Sequence, residues 1–147
     1  MAKIVYRGVK IHTDFKLLFE GYGAITLFGE VWTKYSKDKI QSQIDSPYTH
    51  TWTKVMVNHE LFHIDQGRSF IRCKWLYWLS WIVFYVLYLY YWVKGLFKYG
   101  SKSYQNIPFE REAYANENDM NYWIVSDSNP TPCTHWKDYT DRALVSN

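Results

Sequence analysis

The sequence predicts a mainly α fold with a minor β element at the N-terminus. Three observations carry this. Val55, His59, Phe62, His63 and Gln66 recur at spacings of three and four, the period of one helix face. The run from Phe70 to Phe97 holds no proline, and no glycine before Gly95, so it forms one helix or two closely joined ones. Pro108 stands where a helix takes its first-turn proline, with Glu110 and Glu112 directly behind it. With 147 residues, 48% of them apolar and 20% aromatic, the chain suits one domain over 1–147 with a packed core, and wholesale disorder is excluded.

The elements follow in order. Lys3 to Tyr6 and Ala24 to Thr33 are rich in β-branched and aromatic residues, with Gly21, Gly23 and Gly29 as punctuation, which predicts one or two short strands. Lys34 to Tyr48 is rich in Ser, Asp, Gln and Lys and closes on Pro47, so it reads as a loop. Residues 1–50 thus form a β and loop part. A first helix opens near Thr51, with Thr49, Thr51 or Thr53 as N-cap, and Gly67 is its expected stop. Gly95 and Gly100 close the long apolar helix, and Ser101 to Asn106 is a polar connection. The third helix is expected from Pro108 to about Trp123, completing a helical core over 51–123. The remainder, 124–147, carries Pro130 and Pro132 and reads as an irregular tail that ends in a short helix.

Composition narrows the function. A net charge of +3, evenly spread, is too small to argue for nucleic acid as a partner. Cys73 and Cys133 cannot make a disulfide framework or a cysteine-based zinc site, which favours a reducing, cytoplasmic setting. Met1 to Lys10 has no apolar core of a signal peptide.

The strongest chemical signal is His59-Glu60-Leu61-Phe62-His63, an HExxH pattern. Two histidines four apart on a helix project from one face, so both imidazoles can reach one metal ion. Glu60 lies to the side, where a carboxylate can take a proton from water. Five histidines and six glutamates make a random match rare, on the order of 0.01 occurrences. A catalytic zinc site needs a third protein ligand and an open position. The candidates downstream are Glu110 and Glu112, which point roughly 200° apart on a helix, so only one can face the ion. Small Ala113 would let the two helices approach closely. Asp65, two positions after His63, is a candidate to orient an imidazole. His12, His50 and His135 are isolated, and a lone histidine is more often structural than a ligand. No glycine-rich phosphate loop and no GxSxG is present.

The His59 to His63 motif, followed by a helix bearing Glu-x-x-Ala, resembles the gluzincin group of zinc metallopeptidases. That resemblance implies a zincin-like minimal core of three parts: the HExxH helix, the long aromatic helix and a glutamate-bearing helix. In that group the third ligand is a glutamate on the next core helix, which in several branches precedes a small residue by three, a register that the resemblance maps onto Glu110 and Ala113. It implies a Zn2+ cofactor held by His59, His63 and Glu110, with Glu60 as general base. The chain is most similar to a set of small HExxH proteins whose pattern reads like Asn58-His59-Glu60-x-x-His63-x-x-Gln66 and then Phe109-Glu110-Arg111-Glu112-Ala113-Tyr114-Ala115-Asn116-Glu117. Ala24 to Gly29 is similar to their N-terminal strand. The chain departs from the better known gluzincins in lacking a well-placed histidine or tyrosine to stabilise a transition state. Tyr114, Tyr122 and His135 are the candidates.

Trp75 to Val93 contains no charged residue and is about 28 Å long as a helix, close to the thickness of a bilayer core. Arg68, Arg72 and Lys74 precede it and Lys94, Lys98 and Lys102 follow, so the positive-inside rule assigns no orientation. More than half of the segment is aromatic, with Tyr and Trp in mid-run, whereas a span centre prefers Leu, Ile and Val. A spanning helix would also part His59 and His63 from Glu110 by the whole bilayer. Either the segment folds back, or Glu110 is not a ligand. Gly95 to Ile107, about 43 Å when extended, suffices for the return. The expectation is a zinc-dependent hydrolase, most simply a peptidase acting on a peptide or protein, with residues 75–93 offered to a membrane surface or a protein partner. Two other readings stay open: an inactive zincin-like assembly or binding protein, and a single-span protein with a fortuitous motif.

Overall fold

The computed structural model describes residues 2–18, 20–71, 73–121 and 134–141. It is mainly helical, with a four-stranded sheet supplied by the first 33 residues. Strands β1 (Lys3–Tyr6), β2 (Val9–His12), β3 (Ala24–Leu27) and β4 (Glu30–Thr33) lie in the order β1-β2-β4-β3. The outer pairs are antiparallel hairpins, and β2 runs parallel to β4 through Ile11↔Val31 and His12↔Trp32. Four short strands thus stand where one or two were expected. Both hairpins turn on two residues with positive φ, Arg7-Gly8 and Phe28-Gly29, the tight turn whose twist matches paired strands.

Residues 34–48 correct the expectation of a loop, because they contain helix α1 (Lys37–Ile44). Ser36 caps it by accepting from the Lys39 N–H, and Asp38 complements the dipole in its first turn. Ile40 is fully buried, and Ile44, one turn on, packs partly against the same core.

Helix α2 (Trp52–Arg68) carries the HExxH motif, and Thr51 is its N-cap. Gly67 is not its stop but its second-last residue. A Cβ there would sit 2.4 Å from Cζ3 of Trp81, so the missing side chain is the seat of that indole. The sheet lays Ile11 and Val31 on Val57, Leu61 and Ile64 of α2, all of them at most 1% exposed.

One turn at Lys74–Leu76 leads into α3 (Tyr77–Tyr99), a single helix that runs past Gly95 and ends at Gly100. It is long and apolar enough to cross a membrane, and 22% of its most apolar window is buried in the protein. Its inner face turns Trp81 and Phe84 into the core. Two short turns, Gly100–Lys102 and Tyr104–Asn106, bring the chain back to α4 (Pro108–Asn116). The expected continuation to Trp123 is corrected: α4 ends at Asn116, and Trp123 lies outside the described residues. Asn58 of α2 takes the carbonyls of Glu117 and Asp119, and the Asp119 N–H returns to Asn116, which turns the chain away from the helix axis. In the tail, a turn at Trp136–Tyr139 presses Trp136 onto Phe109, with ring centroids 4.7 Å apart.

Candidate metal centre

Helix α2 presents His59 and His63 on one face, and their rings stand 5.0 Å apart. Helix α4 crosses this face and inserts Glu110 between them. Glu110 Oε2 is 3.2 Å from His59 Nε2, and Oε1 is 3.2 Å from His63 Nε2. The three residues are 9%, 7% and 1% exposed, and one ligand atom from each lies within 4.8 Å of the others, so the group could hold a metal ion. A helix that crossed a bilayer between them would keep this carboxylate from the imidazoles. Instead the chain folds back through the two turns after α3, and Tyr88 from the middle of that helix donates to Glu110 Oε1 at 2.6 Å.

The outer ring nitrogens are also held. His59 Nδ1 donates to Glu117 Oε2 at 2.8 Å, and His63 Nδ1 donates to Gln66 Oε1 at 2.9 Å. Both rings are thereby fixed with Nε2 facing Glu110, as metal-binding imidazoles require. Gln66, fully buried, also donates to the Phe109 carbonyl at 3.0 Å and to Glu112 Oε2 at 2.7 Å. Glu112 points away from the histidines. Its carboxylate takes Gln66, the Thr134 hydroxyl at 2.6 Å and the His135 backbone N–H, and so ties the tail to α4. Asp65 is buried, but the imidazole partners are Glu117 and Gln66.

The electrostatics follow from three buried ionisable groups packed against one another. Burial alone would lower His59, but the hydrogen bonds to Glu110 and Glu117 and the charges of Glu110 and Glu60 outweigh it and raise it to about 10. His63 is likewise raised, against burial, by the Glu110 carboxylate. Glu110 is held well below the carboxylate range because the two imidazoles overcome the cost of its burial.

Glu60 stands beside this cluster, 7% exposed, with its Oε2 accepting from the Thr26 hydroxyl of β3 at 2.6 Å. Two cavities flank it. One, of about 270 Å³, is lined by apolar side chains of β3 and α3 together with His63 and Glu110. The other, of about 630 Å³, is lined by His59, Tyr114 and Glu117 among others. They meet at Tyr22, Ala24, Glu60 and Tyr104. β3 is an edge strand, and its Ala24 lines both cavities. At the far end the Phe28 N–H donates to the Tyr85 hydroxyl at 3.1 Å.

Of the candidate transition-state groups, Tyr114 packs its ring 4.6 Å from His59 and lines the larger cavity. Burial and the Glu110 charge raise its phenol to about 12. The His135 backbone N–H donates to Glu112, and its exposed ring lies 4.0 Å from Asp138. Tyr122 lies outside the described residues. The sequence reading missed Tyr88, Tyr104 and Glu117. Tyr88 and Tyr104 adjoin Glu110, and burial and that charge hold both phenols above their ordinary value, so they stay protonated. A hydroxyl in the middle of an apolar helix needs a partner, which was the available signal for Tyr88. Glu117 is seven residues after Glu110, hence on the same helical face.

Neither a family model nor a curated protein nor a solved structure matches the chain.

Proposed function

We propose that this protein is a zinc-dependent hydrolase of gluzincin type, acting on peptide bonds. The observation that carries the reading is the insertion of Glu110 between His59 and His63, directly beside Glu60 at the junction of two cavities. Two imidazole nitrogens and one carboxylate are the donor set of catalytic zinc, and a third histidine or a thiolate is not needed. A zinc ion on these three residues would supply the acidity that activates water at neutral pH and polarises a scissile carbonyl.

The chain's own residues have separable roles in this scheme. Glu117 and Gln66 hold the imidazoles, and Tyr88 holds the carboxylate. Glu60 is the general base. Among the described residues Thr26 engages its Oε2, which leaves the second carboxylate oxygen for a proton taken from water in the cavity. Tyr104 and Tyr114, kept protonated, are donors placed for negative charge developing on a carbonyl oxygen. The edge of β3 favours a peptide over other amides, since an extended chain can pair with its backbone near Ala24 and pass Glu60.

The test is zinc quantification with a quenched fluorescent peptide library. Glu60→Gln should retain zinc and lose turnover by about 10²–10⁴-fold. Glu110→Gln should lose zinc, whereas Glu112→Gln should keep its ligand set intact. Equal zinc loss for both glutamates would refute the ligand assignment. Undiminished activity in Glu60→Gln would refute the enzyme.

A further inference from the structure

The outer face of α3 is unlike the rest of the surface. Trp78, Ile82, Val86, Leu89, Val93 and Phe97 are 57%, 45%, 60%, 57%, 41% and 89% exposed. At 100° per residue, the exposed positions of this helix sweep roughly 200° of its circumference, with no charged side chain before Lys94. The patch extends off the helix. Trp75, in the turn before it, is 78% exposed, and Phe28, at the tip of the β3–β4 hairpin, is 63% exposed and packs edge-on against Tyr85 at 5.5 Å. So wide an apolar surface on a soluble body marks a docking face.

Charge identifies its occupant. From Gln66 to Phe109 the sequence contains no aspartate or glutamate, while Arg68, Arg72, Lys74, Lys94, Lys98 and Lys102 bracket the apolar run at both ends. Lys94, Lys98 and Lys102 are exposed, although Lys98 shares Asp141 of the tail at 3.2 Å. Two copies meeting through this face would press like charges together. An anionic lipid surface neutralises them. The position of the helix sets its orientation. Its buried residues run from Ser80 to Gly95, so the body of the protein flanks α3 along most of its length and lipid can reach only one side.

We propose that α3 lies flat on an anionic bilayer, its outer face sunk among the acyl chains and its basic ends among the headgroups, as a one-sided anchor that does not cross. The inner face still carries Tyr85 and Tyr88, which line the smaller cavity opposite Ile25 of β3. The candidate metal centre is thereby held at the lipid surface. This anchoring is independent of whether the centre hydrolyses anything.

The test is flotation of the full chain with vesicles of three parts phosphatidylcholine to one part phosphatidylglycerol, beside vesicles of phosphatidylcholine alone. Binding should favour the anionic vesicles and weaken with salt. The double variant Val86→Asp/Leu89→Asp should weaken it by on the order of tenfold or more, while circular dichroism and bound zinc match the parent. Lys94→Glu/Lys102→Glu, which leaves the apolar face alone, should abolish the preference for anionic lipid. In a Cys133→Ser background, Cys73 and an introduced Lys102→Cys should both react with a membrane-impermeant maleimide added outside the vesicles. Protection of one of the two would mean a crossing helix and overturn the proposal. So would flotation indifferent to both double variants, or a stable dimer by light scattering with no vesicle binding.

Discussion

Replacing Gln66 with leucine tests whether its carboxamide holds the candidate metal centre together. The two side chains are similar in volume, so the change removes polarity without opening a cavity. Three hydrogen bonds go: to His63 Nδ1, to the Phe109 carbonyl and to Glu112 Oε2. Gln66 is fully buried, so water cannot replace them. The His63 N–H loses its acceptor, a cost of about 1–3 kcal/mol, and Glu112 loses one charge-assisted donor, about 1.5–3 kcal/mol, while keeping Thr134 and His135. Leucine offsets part of this through apolar burial, which leaves a net loss of roughly 2–4 kcal/mol. Freed from its acceptor, His63 should bind zinc about 10–100-fold more weakly. Urea unfolding reads the first quantity, and competition against a chromophoric chelator reads the second. Stability within about 0.5 kcal/mol of the parent, together with unchanged zinc affinity, would refute the reasoning.

Three further outcomes are expected. Gly67→Ala gains at most about 1 kcal/mol of helix propensity, but its methyl meets the buried Trp81 ring at 2.4 Å, an overpacking cost of about 1–3 kcal/mol. Net destabilisation in urea is expected, and stabilisation would refute the seat assigned to Trp81. The metal-free protein should lose stability as pH rises. His59 has its ordinary value of 6.5 when unfolded and about 10 when folded, so its contribution is complete below 6.5 and is lost through about 10. Zinc must expel that proton, so uptake at pH 7 should release it, as calorimetry in buffers of different ionisation enthalpy would show. Uptake without proton release would contradict the ion-paired site.

Much of the centre was legible because it rests on local periodicity. His59 and His63 declare their shared face by spacing alone, and Pro108 marks the start of α4. Between Glu110 and Glu112 spacing is mute, since each lies on a helix face and only the packing of α4 on α2 selects one. Helix α1 was hidden by its composition: Ile40 and Ile44 are its only apolar residues, and the Ser36 cap is a weak signal in a polar stretch. The end of α4 was invisible for a different reason. Asn58, some sixty positions upstream, takes the carbonyls that turn the chain. The partners of Gln66 are equally remote, and no local pattern encodes a carboxamide that bonds an imidazole, a carbonyl and a carboxylate at once.

The carboxylate that completes the donor set follows the second imidazole only after α3 has gone out and returned. A chain emerging from the ribosome, or one whose aromatic helix has come loose, therefore offers a cation two imidazoles and no third donor. On the proposed reading, tight loading waits for a closure between residues 51 positions apart in the chain, which would make occupancy a readout of finished folding. A chelator should then find its easiest prey among molecules in which α3 has momentarily lifted away.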